Sequence, residues 1–330
     1  MSNPISATID YEKDGIQHGY LRLPYSRNDS AWGSIMIPIT QIKNGTGPTA
    51  LLSGGNHGDE YEGPIALYNL AQKTKIADIS GRVIIVPAMN YPAFCEGTRV
   101  SPIDGLNMNR VYPGKGKGTV TQKIAHYFSR TLLPMADYVL DIHSGGKTLD
   151  FVPFAACHHL PNKELEAKCS AAMNAFGAPF QLKMLEIDAV GLYDTQAESM
   201  NKVFVTTELG GGGTTSPETI EIATRGVDNF LIHAGILKGK VASLYEDSIN
   251  LEMPDDSCFL FSEQKGLLEP FINLGDRVKK GDLMARIRNI ENMSLAPHDY
   301  FAPRDGMVIS RHYSSLVQMG DCINVIAEVV

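Results

Sequence analysis

Four short apolar or β-branched runs, Ala50–Ser53, Val83–Pro87, Val139–Ile142 and Val203–Thr207, are separated by segments whose apolar positions recur at helical spacing. Ile124, Tyr127, Phe128, Thr131 and Leu132 stand at offsets 0, 3, 4, 7 and 8, which puts them on one helix face. Leu165, Cys169, Ala172, Met173 and Phe176 behave the same way, and Gly177 follows where a left-handed residue would end the helix. A third set, Ile220, Ala223, Val227, Phe230, Leu231 and Ala234, comes after Ser216-Pro217, a capping serine and a proline suited to the first helical position. Strands alternating with helices predict an α/β domain whose sheet carries packed helices.

After about Leu237 the helical period stops, and the polar stretch Glu252–Ser257 leads into short strands punctuated by Gly, Pro and Asp. The expected division is a catalytic domain over residues 1–250 and an all-β domain over residues 251–330. In the tail, Val278-Lys-Lys-Gly-Asp282 and Val317-Gln-Met-Gly-Asp321 each precede an apolar run. The pairing resembles the two halves of a biotinyl/lipoyl-type β-sandwich. Swinging-arm versions of that sandwich carry a lysine on the hairpin between the halves. Here the connection Arg288-Asn-Ile-Glu-Asn-Met-Ser294 has none, which favours a structural domain over a carrier.

A length of 330 residues suits two domains at about 150 residues each. No apolar stretch approaches the roughly 18 residues of a membrane span, so a soluble folded protein is expected. Lys and Arg number 29 against 37 Asp and Glu, a net charge of −8 without runs of like sign, which argues against nucleic acid as a partner. The five cysteines, Cys95, Cys157, Cys169, Cys258 and Cys322, are scattered without a C-x-x-C pair. That usage suits a reducing compartment and argues against a cysteine metal cage. Met1–Asp10 has neither the basic nor the apolar region of an export signal, so the cytoplasm is the expected location.

The candidate chemistry lies at strand ends. His57 and Glu60 fall in Gly54-Gly-Asn-His-Gly-Asp-Glu60, the turn leaving Thr49–Ser53, and at this spacing they can converge on one point. His143 ends the segment Ala136–Ile142 in the same way and is followed by Ser144-Gly-Gly146. Two histidines and one carboxylate with a fourth position open form a catalytic zinc site, and the glycines leave space for substrate. Taken singly, the three read as a loop histidine, a carboxylate at a helix start and a core histidine. Their shared strand-end placement is what points to a metal. No H-E-x-x-H segment is present, which excludes the helix-borne zinc protease arrangement.

Glu208 closes the run Val203–Thr207 and opens Leu209-Gly-Gly-Gly-Gly213, where the backbone can bend against a ligand. A carboxylate there can take a proton from water and hand it to a leaving amine; its plainer role would be to cap a turn. Asn109 and Arg110, in Asn107-Met-Asn-Arg-Val-Tyr-Pro-Gly114, set a neutral donor beside a planar cationic fork suited to a substrate carboxylate. Arg99 could polarise a scissile carbonyl. Gly114-Lys-Gly-Lys-Gly-Thr119 reads as a loop, because Asn109 stands where a phosphate-binding loop needs its first glycine.

His57-x-x-Glu60, Asn109-Arg110, His143 and Glu208, in this order, resemble the succinylglutamate desuccinylase/aspartoacylase family of the zinc carboxypeptidase superfamily, from about residue 15 to the end of the chain. Within that family, His18–Gly33 and Gly54–Gly63 are similar to the branch that deacetylates N-α-acetyl-L-2,4-diaminobutyrate in ectoine breakdown. The resemblance implies a mixed sheet with helices on both faces plus the C-terminal β domain. It implies one Zn²⁺ held by His57, Glu60 and His143, with Glu208 as general base and then acid. It also implies Arg99 near the oxyanion, Asn109 and Arg110 on the substrate carboxylate, and Tyr193 against the substrate.

Two positions depart from the family pattern. Asn107 stands where relatives usually carry an aspartate that orients a zinc histidine, and Ala197 stands where aspartoacylases carry an arginine. The positive fork for an acidic side chain is therefore missing, while Asp188, Asp194 and Glu198 are available to pair with a substrate ammonium. The implied activity is hydrolysis of the amide of a small N-acyl amino acid, most directly N-α-acetyl-L-2,4-diaminobutyrate. Deacylation of acidic N-acyl amino acids and metallocarboxypeptidase activity are alternatives, and a metal-binding or carrier protein is the non-enzyme alternative. No membrane partner is expected, and a homo-oligomer is left open.

Overall fold

The computed structural model of the chain describes residues 4–185, 190–242, 245 and 247–330. The first sheet takes its strands in chain order from β1 (Gly15–Pro24), β2 (Ser34–Asn44), β3 (Thr49–Gly54), β4 (Gly81–Val86), β5 (Tyr138–His143), β6 (Phe154–His158), β7 (Phe180–Met184) and β8 (Val203–Glu208). In space they run β1-β2-β4-β3-β5-β8-β6-β7. The middle strands β4, β3, β5 and β8 are parallel, whereas β1–β2, β2–β4 and β8–β6 are antiparallel. The sheet is thus mixed.

Its middle strands are apolar at successive positions because both faces are covered. Leu52, Ile85, Leu140 and Val205 join one core with helices α1 (Glu62–Lys73), α4 (Lys163–Phe176) and α6 (Pro217–His233). Their neighbours Leu51, Ile84, Val139 and Phe204 join a second core with α3 (Val120–Tyr127) and α5 (Tyr193–Ser199). Between α1 and α3 a short helix, α2 (Tyr91–Glu96), lies beside the loop that carries His57. The caps read from the sequence form: Ser216 accepts the Thr219 N–H at 3.1 Å, and Gly177 is left-handed after α4. The helical period beginning at Ile124 does not stay α-helical. It widens into a π-turn over Phe128–Leu132, just before Pro134, which has no N–H for the Arg130 carbonyl.

Strand β9 (Ile249–Glu252) pairs in parallel with β7 and antiparallel with β15 (Cys322–Val329), so hydrogen bonding runs unbroken from the first sheet into the C-terminal region. The division expected at residue 250/251 falls inside this strand. A separate antiparallel sheet comprises β10 (Gly266–Pro270), β11 (Leu283–Arg288), β12 (His298–Phe301) and β14 (Leu316–Val317), in the order β12-β11-β10-β14. Leu268, Met284, Ile287 and Tyr300 from this sheet share one core with Val308, Ile323 and Ile326 from β13 (Gly306–His312) and β15. The segment Leu149–Phe151 pairs with β13, a second join that holds the C-terminal strands against the mouth of the first sheet. Among the described residues no helix is long and apolar enough to cross a membrane.

Candidate active site

Strands β3, β5 and β8 lie side by side in parallel, so their carboxyl ends open at one edge. His143 and Glu208 are the last residues of β5 and β8 and stand directly opposite each other in register. His57 and Glu60 come from the turn between β3 and α1. That turn passes so close to α2 that a Cβ on Gly58 would lie 2.0 Å from the Ala93 carbonyl carbon, so only glycine fits between His57 and Glu60.

The three side chains His57, Glu60 and His143 are buried, at 3%, 2% and 6% exposure, and one ligand atom of each lies within 4.8 Å of the others. His57 Nδ1 is 2.7 Å from Glu60 Oε1, and His143 Nδ1 is 2.8 Å from Glu60 Oε2. The far nitrogens are held from behind. Asn107 Oδ1 accepts the Asn109 backbone N–H at 2.9 Å, which fixes that atom as the oxygen, and it faces His57 Nε2 at 3.1 Å. Asp141 Oδ2 faces His143 Nε2 at 2.8 Å and accepts from Asn56 at 2.9 Å, while its other oxygen accepts the Ser53 hydroxyl at 2.7 Å. When each Nε2 donates outward, the two Nδ1 atoms and the carboxylate all face one point. These donors fit a divalent cation, and the outer partners fix the imidazole tautomers that ligation needs. Arg99 Nη1, 3.6 Å from Glu60 Oε1, adds positive charge on the His57 side.

The electrostatics follow from burial set against these contacts. Burial works against ionisation of Glu60, but His57 and His143 outweigh it and hold the carboxyl well below its usual range. Burial likewise disfavours a charged His143, yet Asp141 and Glu60 raise its pKa well above the ordinary histidine value. For His57 burial dominates and the pKa falls, with Arg99 acting in the same direction against Glu60. One step away, burial pushes the Glu62 carboxyl up to about 7, although Ser144 and Thr219 hydrogen-bond to it.

A cavity of about 450 Å³ opens onto this set. His57, Arg99, Asn109, Arg110, His143, Asp194 and Glu208 provide polar lining, and Phe259, Ile309, Cys322 and Val325 of the C-terminal region close the far side. Asn109 Oδ1 accepts the Tyr193 backbone N–H at 2.8 Å, which turns its amide NH₂ into a free donor direction beside Arg110. Gly191 seats this connection: a Cβ there would lie 2.5 Å from the Arg110 carbonyl oxygen.

The structure therefore brings together His57, Glu60, His143, Glu208, Arg99, Asn109 and Arg110, but not Tyr193. The Tyr193 ring, expected against the substrate, is 1% exposed, stacks on Tyr112 at 4.9 Å and meets Phe128 and Phe204 edge-on. It opens α5 with its side chain turned into the core, and it is the next residue, Asp194, that lines the cavity. Glu198 instead pairs with His158 at 2.9 Å, and Asp188 lies outside the described residues. Asn107 fills the orienting position despite lacking charge. Sequence reasoning missed Asp141; its signal was an aspartate inside a buried strand, two residues before His143 and therefore on the same side of the strand.

A buried His-Glu-His set that could hold a metal ion and a carboxylate on the same cavity lie at the carboxyl edge of a mixed sheet, an arrangement that suits a hydrolase. The succinylglutamate desuccinylase/aspartoacylase catalytic domain matches residues 46–234, and the chain belongs to that family. It is 53% identical over 328 residues to the N-alpha-acetyl-L-2,4-diaminobutyric acid deacetylase of Halomonas elongata, covering 99% of this chain and 96% of that protein. The product-bound ectoine utilization protein EutE (DoeB) from Ruegeria pomeroyi superposes with a TM-score of 0.96 at 58% identity, over 99% of this chain and 100% of that one. A succinylglutamate desuccinylase from Silicibacter sp. also superposes with a TM-score of 0.96, at 57% identity over 100% of both chains.

Asp141→Asn tests the support of the metal set. The amide can turn its oxygen to His143 or to its other partners but not to all of them, so divalent-metal affinity is expected to fall about 10- to 100-fold while the melting profile stays cooperative. Competition against a chelator of known affinity measures it.

Proposed function

We propose that the chain is a zinc-dependent amide hydrolase that converts N-α-acetyl-L-2,4-diaminobutyrate to acetate and L-2,4-diaminobutyrate. The observation that carries the chemistry is the convergence of His57, Glu60 and His143 on one point with Glu208 in the same cavity. The relatives' named activity and the missing cation at Ala197 support the substrate.

A zinc ion held by His57, Glu60 and His143 supplies Lewis acidity for the scissile carbonyl and for water. Glu208 accepts one proton from the attacking water and returns it to the amide nitrogen as the C–N bond breaks, so acetate and a free amine leave. Arg99 stands on the side where negative charge develops on the carbonyl oxygen. Arg110 and the Asn109 amide hold the α-carboxylate, a contact present in both ground and transition states. Strands β13 and β15 line the far side of the cavity of about 450 Å³, a confinement that suits a free amino acid derivative better than a peptide.

An acidic side chain would need a cation to offset its loss of hydration. Among the described residues, the only arginines or lysines that line the cavity are Arg99 and Arg110, which are assigned here to the carbonyl oxygen and the α-carboxylate, so none is left for an acidic side chain. N-α-acetyl-L-2,4-diaminobutyrate is therefore expected to be hydrolysed at least about tenfold more efficiently, in kcat/KM, than N-acetylaspartate or N-succinylglutamate, a difference of about 1.4 kcal/mol. Equal or better turnover of the acidic substrates contradicts the assignment.

Glu208→Gln is nearly isosteric but cannot take up a proton. It is expected to retain metal and lose turnover by several orders of magnitude. Loss of metal together with turnover would instead make Glu208 a ligand.

A further inference from the structure

The cavity contains a carboxylate that the hydrolytic chemistry does not use. Asp194 lies in the first turn of α5, is 4% exposed and lines the same cavity as His57, His143, Asn109, Arg110 and Glu208. Its Oδ1 accepts hydrogen bonds from the backbone N–H and the hydroxyl of Thr195, which fix the carboxylate's orientation.

The placement relates Asp194 directly to the substrate clamp. Asn109 accepts the N–H of Tyr193, the residue before Asp194, and the Arg110 carbonyl packs on Gly191. The first turn of α5 is therefore tied to the loop that holds the α-carboxylate. In diaminobutyrate only two methylenes separate Cα from the side-chain nitrogen, so a molecule anchored on Asn109 and Arg110 keeps that nitrogen in the same part of the cavity.

We propose that Asp194 is the specificity-determining residue of the cavity, binding the side-chain ammonium of the N-acyl diamino acid. This inference rests on the substrate class proposed above. The charges of the lining then match the ligand group for group: Arg110 meets the α-carboxylate, Arg99 the carbonyl oxygen, Glu208 the water, and Asp194 the ammonium. The same carboxylate acts against the competitors, because a side chain ending in a second carboxylate would be brought up to Asp194 with its charge unpaired.

The test compares N-α-acetyl-L-2,4-diaminobutyrate with N-acetyl-L-norvaline, in which a methyl replaces the ammonium, on the metal-loaded protein. The wild-type protein is expected to prefer the cationic substrate in kcat/KM. Asp194→Asn is expected to collapse that preference at least 30-fold, and Asp194→Glu, which keeps the charge, to retain the larger part of it. If Asp194→Asn lowers both substrates equally and leaves the ratio intact, Asp194 only supports α5 and the proposal is overturned. If the wild-type protein shows no preference for the cation, the substrate reading itself fails, and the proposal fails with it. A crystal structure of the wild-type complex with L-2,4-diaminobutyrate decides the matter independently of how the variants fold: the side-chain nitrogen within hydrogen-bond distance of the Asp194 carboxylate supports the assignment, and the nitrogen placed elsewhere overturns it.

Discussion

The arrangement depends on one buried carboxylate, Glu60, whose two oxygens each face an imidazole Nδ1. Three electron-pair donors gathered away from water repel one another unless positive charge lies among them, and a divalent cation satisfies all three at once. The surroundings hold this group in place, and Arg99 adds positive charge 3.6 Å from one Glu60 oxygen. Asn107 and Asp141 fix the far sides of the imidazoles, and Gly58 lets the His57–Glu60 turn press onto α2. The parallel pairing of β3 with β5 brings residues from distant parts of the sequence to the same edge.

The substrate side follows from the same edge. Glu208 is next to His143 because β8 pairs in parallel with β5, and no further structure is needed to bring this carboxylate beside the His57, Glu60 and His143 set. The clamp is different in kind. Asn109 and Arg110 come from a segment tied by a hydrogen bond to the start of α5, so the proposed carboxylate clamp and Asp194 share one anchoring contact. Strands β13 and β15 then close the cavity from the C-terminal side, which gives the tail a role in shaping the site without lending it a reacting group.

Much of this was legible in the sequence because strand ends concentrate function. Apolar runs that stop at His143 and Glu208, and one that leads directly into His57-x-x-Glu60, mark carboxyl edges of a sheet without any knowledge of strand order. What was not legible depended on direction and on pairing. Tyr193 and Asp194 are adjacent, and only the orientation of α5 decides that the ring enters the core while the carboxylate reaches the cavity. Asp141 was legible only in part: its spacing puts it on the same side of the strand as His143, but only the fold shows that its carboxylate meets the imidazole rather than another neighbour. The strand that spans residues 250 and 251 was not legible for a related reason. Polarity marks where helices end, but the pairing of β9 with both β7 and β15 is a long-range hydrogen-bond pattern that composition does not record.

The most direct test of the account is metal stoichiometry tied to activity. After chelation and dialysis the protein should remain folded, since cores of this size do not need a metal to hold them, and it should be inactive. Adding zinc should restore activity in proportion to binding, saturating at about one ion per chain, and Glu60→Ala should bind none at the same concentration while keeping its fold. Full activity without metal, or stoichiometric zinc in Glu60→Ala, would contradict the central claim that His57, Glu60 and His143 form the metal centre.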